Sequence, residues 1–254
     1  MPLRPRSPRR RIPSPWWYQV PVKSPISEKV ACLPCLINPR VVPCDSNMPE
    51  PSTYSTPRIG FFGGSFDPIH QGHVSVALEA VKQFNLRQIL LCPAFFAPLR
   101  DQKPLFSAVH RLAMVNAVAQ EHSEFVAYDV EILAQKTCFT FHTLQSAQQI
   151  YSQSEIFLML GDDQFNKFDQ WKFHQEILAQ FPLIIFNRNG TTNNQDFSEE
   201  FPSAKIHPLG NQRFPHSSTE IRQHINQGTC ISSHVPQSVL AYMTNHQLLD
   251  HRDL

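Results

Sequence analysis

Two histidines, His70 and His73, stand three residues apart at the end of Gly63-Gly-Ser-Phe-Asp-Pro-Ile-His-Gln-Gly-His73. At that spacing they share one face of a first helical turn. The glycines ahead of them let a backbone approach a phosphate closely, and the open N–H groups at a helix N-terminus favour an anion there. A second cluster, Ser217-Ser218-Thr219 followed by Arg222, reads as an N-cap with a short helix behind it, Ile221 and Ile225 sharing one face. Each feature also has a plainer reading. A Gly-Gly after a strand is a turn, a histidine pair is a metal half-site or two surface residues, and Ser-Ser-Thr is a capped helix.

The elements that must position these residues alternate in type. Ile59 to Phe62 reads as a buried strand ending at Gly63 and Gly64, and Val74, Ala77, Leu78 and Val81 recur at helical spacing after it. Gln88 to Pro93 reads as a second strand, Leu105 to Gln120 as a helix, Phe125 to Ile132 as a strand and Thr140 to Tyr151 as a helix. Glu155 to Leu160 is another buried run, Asp163 to Gln180 is compatible with one helix, and Leu183 to Asn187 is a further strand. Such alternation predicts an α/β fold: a doubly wound, Rossmann-like parallel sheet with helices on both faces, since parallel strands need crossover connections. Ligands of such sheets bind beyond the carboxyl ends of the strands, where Gly63, Pro93 and Gly161 fall. Asn187 to Pro202 reads as a surface loop without chemistry.

The 254 residues are 41% apolar and 17% charged with a net charge of +1, ordinary for a soluble protein and without a broad field for nucleic acid or membrane. No apolar run approaches the length of a membrane span. Six cysteines are too few for a disulfide scaffold of this size, so cytoplasmic thiols are expected. Residues 1–57 hold 13 of the 22 prolines, and the first eleven residues include five arginines and no acid. This segment is expected to be a disordered Pro/Arg-rich tail ahead of one domain, residues 58–254. Its prolines exclude the amphipathic helix of a transit peptide, and it lacks the apolar run of a signal peptide. Cys32-Leu-Pro-Cys35 has redox or metal spacing with no second pair nearby, and Met48 stands just before the expected domain, as an over-long gene start would leave it.

The histidine segment resembles the signature of the nucleotidyltransferase superfamily: a small residue, Phe, x, Pro, x, His, x, Gly, His. Ser217 to Arg222 resembles the second superfamily signature. Four further pieces resemble the nicotinate-nucleotide adenylyltransferases: His110-Arg-Leu-Ala-Met114, Phe139-Thr-Phe-His-Thr-Leu144, Leu160-Gly-Asp-Asp163 through Trp171 to Glu176-Ile-Leu178, and Val235-Pro236 through Tyr242. The likeness spans roughly residues 58 to 250.

That resemblance implies transfer of the adenylyl group of ATP to nicotinate mononucleotide, giving nicotinate adenine dinucleotide and pyrophosphate without a covalent enzyme intermediate. It implies His70 and His73 as catalytic residues at the ATP phosphates, His73 at the α-phosphate. Gly63, Gly64, Ser65, Phe66 and Asp163 would bind ATP, and Ser217, Ser218, Thr219 and Arg222 would hold its β and γ phosphates as a second anion site facing the first. Arg100, Thr140 and Trp171 would serve the mononucleotide, Trp171 by stacking on the pyridine ring and the start of the Thr140 helix by receiving its carboxylate. Mg²⁺ is expected on the triphosphate, with no metal site of the protein's own and no nucleic-acid or membrane partner.

The chain departs from the family in three places. Pro98-Leu99-Arg100 stands where Pro-His-Lys or Pro-His-Arg is usual, Lys172 replaces an aromatic residue after the tryptophan, and Phe139 replaces a tyrosine. Two other readings stay open: an adenylyltransferase for another acceptor, such as nicotinamide mononucleotide or phosphopantetheine, and a regulatory protein that binds a nucleotide without turnover.

Overall fold

The computed structural model describes residues 56–97, 103–187, 201–210 and 216–249. Strand β1, Arg58–Gly64, lies inside a six-stranded sheet, with β2 (Gln88–Pro93) and then β3 (Phe125–Ala127) on one side. On the other side follow β4 (Glu155–Gly161), β5 (Leu183–Phe186) and β6 (Ile206–Leu209). All five pairings are parallel. The central strands are apolar through and through because both faces are covered, and their side chains divide between the faces with period two. Phe62, Leu91, Met159 and Ile184 join one core with Val74, Met114, Ile221 and Val239. Phe61, Leu90, Leu158 and Leu183 join the other with Leu144, Phe168 and Ile177.

The helices of the first layer are α1 (Gln71–Phe84), α2 (Ala108–Glu121), α7 (Ser218–Asn226) and α8 (Gln237–Asn245). The second layer contains α4 (Thr140–Ile150) and α6 (His174–Gln180), with the short α3 (Val130–Ala134) just ahead of α4 and the short α5 (Asp162–Phe165) between α4 and α6 in sequence. Helix α1 follows the expected apolar spacing and ends at Asn85, whose φ of 51° is the left-handed stop common at helix C-termini. Ser107 caps α2 by accepting from the His110 N–H at 3.3 Å.

Two expectations are corrected, and one strand is added. The run from Phe125 to Ile132 is a strand only to Ala127: the Tyr128 N–H makes a last bond to Leu91 O, and the chain then turns into α3, which buries Glu131 and Ile132. A short apolar run suits either element, and tertiary packing decides. The helix-compatible run from Asp163 to Gln180 is three pieces, α5, a 3-10 turn at Phe168–Gln170, and α6. Trp171 is extended and Phe173 sits at φ 67°, so continuous winding stops there. Strand β6 was not anticipated, because four residues containing Pro208 carry little strand signal; as an edge strand it tolerates the proline. The expected tail, Cys32 and Cys35 lie outside the described residues, as does nearly all of the Asn187 to Pro202 loop. Among the described residues no helix is long and apolar enough to cross a membrane.

Candidate active site

The strand order reverses at β1, which has β2 on one side and β4 on the other, and a crevice opens beyond their carboxyl ends. A cavity of about 520 Å³ occupies it, a size suited to a nucleotide-class ligand. Gly63 and Gly64 line it from β1, Cys92 from β2, Leu160 and Gly161 from β4, and Phe186 from β5.

The histidine segment closes one wall. Phe66 takes a left-handed φ of 45°, buries its ring and turns the chain toward α1. Asp67, 1% exposed, accepts the Leu105 and Phe106 N–H groups on its two carboxylate oxygens at 2.9 Å each, tying this turn to the start of α2. His70 stands at the N-cap position of α1, its ring stacked on that of His73 with centres 3.7 Å apart. The His70 N–H donates to His73 Nδ1 at 3.2 Å. That nitrogen therefore presents a lone pair, and the neutral His73 ring carries its proton on Nε2. Phe62 and Phe66 press ring edges on His73 at 5.8 and 5.0 Å, fixing the plane of the imidazole. Gly72 lies between the histidines where space is tight: a Cβ there would meet the His70 ring at 3.1 Å and the His216 carbonyl at 3.3 Å, so the neighbours would have to give by a few tenths of an ångström.

The second cluster meets the first although some 150 residues separate them. Ser217 Oγ accepts from the Glu220 N–H and caps α7, and the Ser218 hydroxyl donates to Pro68 O at 3.2 Å. Ser217, Ser218 and Thr219 thus line the same cavity as His70 and His73. Arg222 does not. Its Nη1 donates to Asp67 O at 2.9 Å and lies 3.6 Å from the Asp67 carboxylate, while Nη2 donates to Thr219 Oγ1. It joins the two phosphate-type motifs to each other.

At the far side, Thr140 at the start of α4 and Trp171 also line the cavity. Trp171 packs on Phe168 at 5.3 Å, and its Nε1–H is buried without a partner among the described residues. Asp163 is exposed on α5; its Oδ1 would lie 2.6 Å from a Cβ at Gly161, so the glycine admits the carboxylate over the end of β4. Its neighbours Gly161 and Gln164 reach the cavity. Arg100 and Leu99 lie outside the described residues.

Two buried charges escaped the sequence reading as site residues. Arg111, 1% exposed, donates through Nη1 to Ser65 O and Ala94 O at 2.6 Å, through Nη2 to Phe95 O and through Nε to Phe106 O. It staples the loops after β1 and β2 to α2. The available signal was its place on the buried face of α2, in register with Met114, Val115 and Val118, where an apolar residue is expected. Glu131 lines the cavity and accepts the Thr143 hydroxyl at 2.8 Å; burial pushes its carboxyl above the usual range, against the lowering effect of that bond. It was hidden in a segment read as strand. Among the described residues no three His, Cys, Asp or Glu side chains cluster as a metal cage.

The sequence model of the cytidylyltransferase-like family matches residues 61–224, which contain both signatures. A curated protein named "Probable nicotinate-nucleotide adenylyltransferase" from Shewanella frigidimarina is 32% identical over 209 residues, covering 75% of this chain and 99% of its own. One of the same name from Clostridium botulinum (strain Eklund 17B) is 31% identical over 196 residues, covering 75% and 97%. Among solved structures, the Plasmodium falciparum nicotinic acid mononucleotide adenylyltransferase complexed with NaAD superposes with a TM-score of 0.63 at 20% identity, covering 76% of this chain and 98% of that one, a likeness of fold. With the sheet, the crevice and both signature segments inside the matched region, the chain belongs to the cytidylyltransferase-like family, among the nicotinate-nucleotide adenylyltransferases.

Proposed function

We propose that the chain transfers the adenylyl group of ATP to nicotinate mononucleotide, releasing nicotinate adenine dinucleotide and pyrophosphate. The observation that carries this reading is the convergence of the stacked His70–His73 pair and the capped start of α7 on one cavity that also holds Thr140 and Trp171.

The triphosphate spans the two helix starts, whose open N–H groups oppose its charge. The mononucleotide phosphate then attacks the α-phosphorus in line, and pyrophosphate leaves toward Ser217–Thr219. Such a transfer needs positioning and charge neutralisation rather than a protein nucleophile. His73 donates from Nε2 to the α-phosphate as charge develops, and His70 stacks behind it. Gly63, Gly64, Ser65 and Phe66 line the ATP side, with Asp163 at its edge. Arg222 positions the two motifs instead of gripping a phosphate. Trp171 offers its ring to the pyridine and its partnerless N–H to a ligand oxygen, while the start of α4 receives the carboxylate.

A divalent cation such as Mg²⁺ enters with the triphosphate, whose oxygens supply its ligands, since the Asp67 carboxylate is already engaged by two N–H groups. The free thiols Cys92, Cys138 and Cys230 accord with a cytoplasmic place. Incubating the purified protein with ATP, Mg²⁺ and nicotinate mononucleotide tests the reading. The dinucleotide and pyrophosphate are expected in equal amounts, and their absence would contradict it.

A further inference from the structure

Lys172 follows Trp171 in the link to α6, where the family resemblance leads one to expect an aromatic residue. Its ammonium sits over two rings, with Nζ 4.5 Å from the centre of Phe139 and 5.2 Å from that of Phe173. Those rings stand 6.0 Å apart and nearly perpendicular, so the charge has a defined seat despite the exposure of the residue. Phe139 is the N-cap residue of α4, and the N–H groups just after it have no partner within the helix. Lys172, Phe139, Thr140 and Trp171 all line the cavity. Among the described residues no carboxylate pairs with Lys172. The acid in the same lining, Glu131, has Oε1 engaged by Thr143, and burial favours its neutral form.

We infer that Lys172 is a specificity-determining residue, the fixed positive charge that selects an acidic pyridine mononucleotide over its amide. This rests on the adenylyl-transfer reading above. A carboxylate at the start of α4 meets both the helix N–H groups and the ammonium; an amide, being neutral, gains nothing from the ammonium's charge and turns its own N–H₂ toward donors.

The test measures kcat/KM at saturating ATP for nicotinate and nicotinamide mononucleotide, using the full chain and its Lys172→Met and Lys172→Arg variants. Lys172→Met should lower the value for the acid about five- to tenfold and leave that for the amide within about twofold, the size of one partly exposed charge-assisted contact. Lys172→Arg should keep most of the acid activity. Added KCl should erode the preference of the parent protein and not that of Lys172→Met. An equal loss on both substrates, or no loss on the acid, overturns the inference. If the parent protein turns over neither mononucleotide, the adenylyl-transfer reading fails on its own. Calorimetric titration of each mononucleotide alone then decides: weaker acid binding by Lys172→Met upholds the role of Lys172, and unchanged affinity overturns it.

Discussion

His73 is oriented before any substrate arrives, held by a bond from the His70 N–H, a stacked imidazole and two phenyl edges. Such a donor needs no reorganisation when charge develops at the α-phosphate, which is where fixed donors contribute most. His73→Ala should therefore lower kcat on the order of 10²–10³-fold, as loss of one fixed donor does elsewhere. The half-buried ring carries little of the core, so the melting temperature should hardly move. Near-normal turnover, or outright unfolding, would remove His73 from its assigned role.

Between elements, the site depends on two buried ionisable side chains, Arg111 and Glu131. Arg111 satisfies four carbonyls of the loops around the crevice, and a methionine there would strand them. Arg111→Met should cost roughly 3 kcal/mol or more, and thermal denaturation should show a drop of roughly 10 °C. A shift of a degree or so would show the staple to be dispensable. Glu131 gives a pH signature. Burial raises its carboxyl in the folded state above the value in the unfolded chain. Between those two values the unfolded chain has lost the proton and the folded one keeps it, so stability contributed here falls as pH rises through that window. Glu131→Gln should flatten this slope in denaturant titrations across the weakly acidic range, and an unchanged slope would show that Glu131 is not its source. These elements also mark how far sequence reaches. The strands β1, β2, β4 and β5, the start of α1 and the cap of α7 were legible because each has a local signal: an apolar run, a glycine turn, a serine before a helical period. The break at Trp171 to Phe173, the turn into α3 and the seat of Arg111 come from packing between distant segments, which no local window contains. The same holds for the tie between Arg222 and Asp67, which joins residues 155 apart in the chain.

For the whole molecule, the sheet order places both signature segments at the one edge where the chain changes direction, so a single crevice serves two substrates. The matched region begins at residue 61, and the proline-dense residues ahead of Met48 carry no periodic apolar face to dock on a domain. A chain beginning at Met48 should keep its turnover and melting temperature, and a loss of either would give the segment a part in the fold. The central claim is the acid acceptor, and the most direct measurement of it is kcat/KM for nicotinate against nicotinamide mononucleotide, followed by pyrophosphate release. With an amide leaving donors unmatched at the start of α4, the acid should be favoured at least about tenfold. Equal values, or a preference for the amide, would contradict the account.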